Sequence, residues 1–188
     1  MAPVVLVMAG AARLGAELRA LLGEDRASGV ERLLLERAMR WGDALSAGQL
    51  VTAGIEEDVG DALNRVFAAH RDGSPVVVVW PVLPCWRPQH TEAVLDDLAA
   101  GCEASLAPAF DRGLYLLAMA RPIPGVLELA GEAWDSPNAI GLVLTPINEA
   151  DAPVGLVRPE RALRSAGDVR AALADPLLDD ELRRLLGG

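Results

Sequence analysis

Four consecutive valines, Val76 to Val79, constrain this chain more than any other stretch. Gly73-Ser74-Pro75 supplies a turn signal before them, and Pro81, Pro84 and Pro88 follow within eight residues. A short uninterrupted β-branched run suits a strand covered on both faces, as in the middle of a parallel sheet. Proline lacks the N–H that a ladder needs, so the strand must stop near Trp80. In open α/β sheets the loop just past a central strand's carboxyl end is the usual place for a ligand. Yet Trp80 to Pro88 carries no carboxylate, histidine or lysine.

Strand and helix patterns alternate around this run. Pro3 to Gly10 reads as a buried first strand, and Gln49 to Ala53 as a short second one. Helical patterns are expected over Arg13 to Leu22, over Val30 to Leu45 opened by Ser28-Gly29, and from Glu56 to His70. Glu31, Arg32, Glu36 and Arg40 are expected to face water, and the acidic residues from Glu56 to Asp61 to complement a helix dipole. Beyond the central strand, a helix is expected from Thr91 to Ala100, with Glu92, Asp96 and Asp97 on its solvated side. Glu103 to Pro108 and Leu114 to Ala120 read as two strands around an Asp111-Arg112-Gly113 turn, a hairpin-like break in the βαβ alternation. Further helices are expected over Pro122 to Ala130 and from Ser136-Pro137 through Leu144, then a strand over Pro153 to Val157. Asp168 to Leu173 and Pro176 to Leu186 read as two terminal helices. The pattern implies a single domain over 1–188: an α/β, three-layer αβα sandwich with a mostly parallel mixed sheet.

Charge narrows the ligand classes. The formal net charge is −10, and all 17 basic residues are arginine. Such a chain repels a phosphate backbone, which argues against nucleic acid as a partner. Without lysine there is no P-loop or Schiff-base lysine. No apolar run approaches the roughly 20 residues of a bilayer span, so no membrane is expected and a cytoplasmic protein is. Cys85 and Cys102 are too few for a disulfide framework and make no recognised metal-ligand spacing with His70 and His90. Cys102 is expected to be a small buried hydrophobe and Cys85 a loop thiol. There is no Gly-x-Ser-x-Gly for a serine hydrolase.

Gly10-Ala11-Ala12-Arg13-Leu14-Gly15 has the glycine spacing of a phosphate-binding loop, but Ala16 and Glu17 stand where that loop needs lysine and a hydroxyl. A structural turn and a backbone-amide anion cradle both remain open for it.

Several segments, in order, carry a family resemblance: Asp58-Val59-Gly60-Asp61-Ala62-Leu63, the valine run through Pro84, Leu106 to Leu117, and Trp134-Asp135-Ser136. Together they resemble the small bacterial nucleotide-diphospho-sugar transferase-like proteins with a GT-A fold. These are known as domain of unknown function 2064 or as glycosyltransferases associated with radical-SAM and selenium-related domains. They are related to the guanylyltransferases of cofactor F420 and molybdenum cofactor assembly. The resemblance implies glycosyl or nucleotidyl transfer from a nucleotide-linked donor, its leaving-group charge stabilised by a divalent cation or by fixed cations, and leaves the cofactor of this chain open.

The departures from the family pattern fall on charged positions. Where the family has Gly-Thr-Asp-Cys-Pro after the central strand, this chain has Trp80-Pro81-Val82-Leu83-Pro84, with Val82 at the aspartate. Of Glu-Asp-Gly-Gly-Tyr-Tyr only Asp111, Gly113 and Tyr115 persist. Gly15-Ala16-Glu17-Leu18 replaces a Lys-Thr-Arg-Leu stretch, and Arg164-Ser165-Ala166-Gly167 replaces Asp-Val-Asp-Thr. A hard cation wants several oxygen ligands, so the conventional metal site is missing here. Loss of one such electrostatic element can cost about 3–4 kcal/mol in the barrier. Arg13, Arg87 and Arg112 are the cations available to replace it.

Two functions follow. One is an active transferase with Asp111 as base or metal ligand, Asp58 and Asp61 at the pocket rim, Arg112 beside the donor, and Trp80, Trp86 and Trp134 lining the pocket. The other is a non-catalytic binding or scaffolding domain in which Trp80, Val82, Leu83, Pro84 and Trp86 turn the former site into an apolar surface. The expected ligand is a small molecule, a nucleotide or nucleotide sugar. A homo-oligomer or protein partner stays open.

Overall fold

A computed structural model describes residues 2–188 apart from Arg71, Asp72, Asp111, Arg112, Asp135 and Pro137. Val4–Met8 forms β1, buried at every position. A 3-10 turn over Ala9–Ala12 leads to α1 (Ala16–Leu22) and the long α2 (Glu24–Ser46). Next come β2 (Leu50–Ala53), α3 (Val59–Ala69) and β3 (Val76–Val79). The second half adds α4 (Pro88–Ala99), β4 (Ala104–Pro108) and β5 (Leu114–Met119). Two single-turn helices, α5 (Pro124–Leu127) and α6 (Gly131–Trp134), precede α7 (Ala139–Glu149), β6 (Val154–Leu156), α8 (Ala166–Ala174) and α9 (Asp180–Gly187).

The strands form one mixed sheet in the order β2-β1-β3-β5-β4-β6. β1 pairs parallel with β2 and β3, and β4 parallel with β6. β5 runs antiparallel to both neighbours, with Val78 opposite Leu117 and Leu106 opposite Leu117 on the other side. The expected three-layer α/β class with a mostly parallel mixed sheet is the one observed. β2 and β3 lie on opposite sides of β1. Right-handed crossovers therefore send α2 and α3 to opposite faces of the sheet. The valines of β3, fully buried, are covered on both faces as their composition requires.

Two apolar clusters form. The larger surrounds the sheet and includes Leu6, Val78, Leu117, Trp80 and Trp134. The smaller joins α1 and the first half of α2 to α8 and α9 through Leu18, Leu34, Val169 and Leu182. Among the described residues, no helix is long and apolar enough to cross a membrane.

Several local expectations change. α2 begins at Glu24 and runs through Ser28-Gly29, because Gly29 lets Leu185 of α9 come against the helix backbone. α4 begins at Pro88, the first-turn place that proline favours. α7 begins later than expected, after Asn138, and continues past Leu144 through Pro146, which packs on Gly125. The expected Pro137 start and Asp111-Arg112 turn lie outside the described residues. Asp97 is not purely solvated: it accepts the hydroxyl hydrogen bond of buried Ser105. Cys102 is half-buried and Cys85 exposed.

His90 shows how buried polarity is handled. It is 1% exposed, on the first turn of α4. The Arg87 N–H donates to its Nδ1 at 3.2 Å, which leaves the proton on Nε2, and Nε2 donates to Glu160 Oε1 at 3.2 Å. Trp86 and Tyr115 enclose the ring, with centroids 5.8 and 5.5 Å away. Burial, outweighing the attraction of Glu160, holds the imidazole below its ordinary value of 6.5. The unfolded chain thus takes up this proton first as pH falls. The stabilising contribution of neutral His90 is complete above pH 6.5 and is lost as pH drops through the folded-state value. Denaturant titrations across this window are expected to show declining stability in the native chain and a flatter profile in His90→Gln.

Candidate functional site

The reversal of strand order at β1 parts the loops at the carboxyl ends of β1, β2 and β3. Between them lies a cleft of about 560 Å³. Its rim on one side is the Gly10 to Gly15 loop, and on the other Gly54 to Val59. Trp80, Pro81, Val82 and Trp134 line its floor and inner wall from the central strand and α6, and Leu163 and Arg164 close it from the segment before α8.

Gly10 is fixed by close approach. A Cβ there would fall 2.1 Å from the Ile55 carbonyl oxygen, so only glycine lets the β1 and β2 loops touch. Gly15 has no such role: nothing lies within 4 Å of its Cβ position, and its φ is −63°. The phosphate-loop spacing of the pair therefore reflects one packing glycine and one helix-cap residue. One amide of the loop is also already engaged. The Leu14 N–H donates to Glu31 Oε1 at 2.8 Å, and Arg19 binds the same oxygen. Glu31, expected to face water, is instead drawn in by an amide and a guanidinium.

The other cleft carboxylates are similarly occupied. Glu57 takes a two-point contact from Arg65, at 2.8 and 3.0 Å, and the Gly54 N–H at 2.8 Å. Hydrogen bonds from Arg65 first, then from Gly54, hold its carboxyl below the usual range. Glu56 meets Arg13 at 3.1 Å at the exposed rim. Asp58 caps α3, accepting the Gly60 N–H at 2.7 Å through Oδ1. Its Oδ2 lies against Gly131, where a Cβ would come within 2.4 Å. Arg164 donates to the Leu114 carbonyl at 3.5 Å and rests its guanidinium over Gly113.

Of the residues expected at the site, Asp58, Trp80, Val82 and Trp134 meet at this cleft. Trp80 and Trp134 stack with centroids 5.7 Å apart, each 3% exposed, so they form its floor. Val82 is buried, and its carbonyl accepts the Leu163 N–H at 2.8 Å. Asp61 is exposed on the first turn of α3. Trp86 does not line the cleft: it packs elsewhere on the sheet core, 4.6 Å from Trp41 and beside His90 and Tyr115. Asp111 and Arg112 lie outside the described residues. Leu163 and Arg164 joined the cleft without a local signal, because a segment more than eighty residues beyond β3 folds back over it.

A divalent cation does not fit the described residues. Among them no three histidine, cysteine or acidic side chains converge. Val82 offers an alkyl group where the resemblance places an aspartate. The described cleft lining carries two arginines, Arg13 and Arg164, against three carboxylates, Glu56, Glu57 and Asp58.

Among solved structures, the chain is similar to a candidate nucleotide-diphospho-sugar transferase from Desulfovibrio desulfuricans G20. The likeness covers 97% of this chain and 93% of that one, with a TM-score of 0.70 and 17% sequence identity. The chain thus has the fold of that transferase class. No protein-family model and no curated protein matches it.

The two glycines give a direct contrast. Gly10→Ala must push the β1 and β2 loops apart and is expected to destabilise by about 1–3 kcal/mol. Gly15→Ala should change stability by no more than about 0.5 kcal/mol, since its space is open and its φ ordinary. Thermal unfolding of the two variants checks this.

Proposed function

We propose that this chain is a nucleotide-diphospho-sugar transferase-like protein, of the glycosyl- or nucleotidyltransferase type, whose metal and phosphate handling has eroded. The observation that carries the reading is the cleft itself. It stands where the strand order reverses, at the carboxyl ends of β1, β2 and β3, in a chain with this transferase fold. Its volume of about 560 Å³ suits a nucleotide-sized ligand. The stacked Trp80 and Trp134 supply an apolar floor, Asp58 Oδ2 an acceptor at the rim, and Arg13 and Arg164 the cations nearest a diphosphate. Asp111 is the residue assigned as base, with Arg112 beside it.

A second reading, a non-catalytic binding domain of the same descent, is favoured by two observations. Glu31 already takes the Leu14 amide of the glycine loop, and Val82 is apolar where the resemblance calls for a metal-binding aspartate. Under this reading the cleft binds a ligand and transfers nothing.

Calorimetric titration with a nucleoside diphosphate and its sugar conjugate, each with and without magnesium, tests the shared part. Binding is expected; silence at millimolar ligand removes both readings of the cleft. Turnover then separates the two. If the protein transfers a group, Asp111→Asn should lower kcat by at least a hundredfold while leaving ligand affinity within a few-fold. Full retention of rate in that variant excludes Asp111 as the base.

A further inference from the structure

A second cavity, of about 150 Å³, shares Leu163 with the cleft. The loop after β3 lines one side of it, the segment before α8 another, and α8 with its cap residue Asp175 a third. Its floor is apolar: Leu83, Ala162, Leu163 and Ala172 are each at most 6% exposed. Ala171, half-buried beside Ala172, leaves the α8 side without bulk.

Five charged side chains surround this floor, and three of them are already engaged. Glu160 accepts from His90 and Arg158. Asp168 accepts the Ser165 amide and hydroxyl at 2.9 and 2.7 Å and the Arg161 guanidinium at 2.9 Å. Arg161 also lies over the Phe110 ring, 5.6 Å from its centroid. Arg87 and Asp175 differ. Asp175 Oδ1 accepts the Leu177 N–H at 2.9 Å, but its Oδ2 stands 4.0 Å from the Arg87 guanidinium, too far for a hydrogen bond. Among the described residues, Arg87 donates no side-chain hydrogen bond and Asp175 Oδ2 accepts none. Both side chains are half-exposed, so this unmatched pair of opposite charges can be reached from solvent.

We propose that this cavity binds a small aliphatic α-amino acid, its carboxylate on Arg87, its ammonium on Asp175 Oδ2 and its side chain over Ala171 and Ala172. An α-amino acid carries both charges on one carbon. It can therefore enter between Arg87 and Asp175 and give each a charge-assisted hydrogen bond, which the two cannot give each other at their present spacing. A carboxylate alone would answer Arg87 and still face Asp175; an amine alone would do the reverse. Glu160 and Asp168 on the same lining repel a second carboxylate, which disfavours acidic amino acids. At about 150 Å³, against about 560 Å³ for the cleft, the space suits a short branched side chain and excludes a nucleotide. The assignment stands apart from any reading of the cleft.

Titration of the full chain with L-valine tests this, read by calorimetry and by the rise in thermal stability that a ligand of the folded state produces. The comparison ligands are 3-methylbutanoate, which lacks the amine, and isobutylamine, which lacks the carboxylate. L-valine is expected to bind at millimolar concentration, and each comparison ligand at least tenfold more weakly. Cys85 lines the cavity and is exposed, whereas Cys102 lies outside the lining. L-valine should therefore slow alkylation of Cys85 several-fold and leave Cys102 unchanged. Arg87→Gln is expected to weaken valine tenfold or more. Ala171→Leu, which fills the cavity from a half-buried position, should abolish binding by a separate route. Absence of binding and of Cys85 shielding at millimolar L-valine overturns the proposal. So does equal affinity for 3-methylbutanoate or isobutylamine, or native affinity in both variants.

Discussion

The handedness of the crossover connections is the constraint on which the rest depends. β1 is flanked by β2 on one side and β3 on the other, and both connections are parallel crossovers. A right-handed path to each side sends α2 and α3 to opposite faces. The loops that leave β1, β2 and β3 must then diverge, and a cleft opens at the carboxyl edge of the sheet. The four valines of β3 make this possible: fully buried, they sustain a strand that needs cover on both faces. Pro81 ends the ladder and lets the chain turn along the cleft wall.

Within that cleft, charge is spent on the protein's own backbone and arginines. Asp58 caps a helix, Glu57 holds Arg65 and the Gly54 amide, and, behind the lining, Glu31 takes the Leu14 amide of the glycine loop. The wall facing them is indole and valine. A cleft of this composition attracts a dianionic diphosphate far less than one built around a cation. What it offers is shape, an aromatic floor and a few polar atoms at the rim.

Parts of this were legible in the sequence because they rest on local rules. The valine run, the antiparallel β4–β5 break and the helical stripe of α2 follow from periodicity and breakers alone. The errors fall where distant residues decide. Gly29 reads as a helix start, yet α2 runs through it with Leu185 of α9 against its backbone. The helix reads as ending at Leu144, yet α7 runs on through Pro146, for which Gly125 makes room. Trp86 reads as a cleft residue from its place beside the prolines, but it pairs instead with Trp41, forty-five positions earlier, away from the cleft.

By itself, the sequence determined the sheet class, the place of a cleft after the central strand, and the lack of an acidic or basic side chain from Trp80 to Cys85. These depend on side-chain type and on spacing along a strand or helix, which a linear reading contains. Only the tertiary structure decided which carboxylates are already taken, and that Leu163 and Arg164 complete the wall. Hydrogen bonds and packing between segments far apart in the chain have no signature in either segment alone. They exist only once the sheet has brought its loops to one edge and the last two helices have folded back beside it.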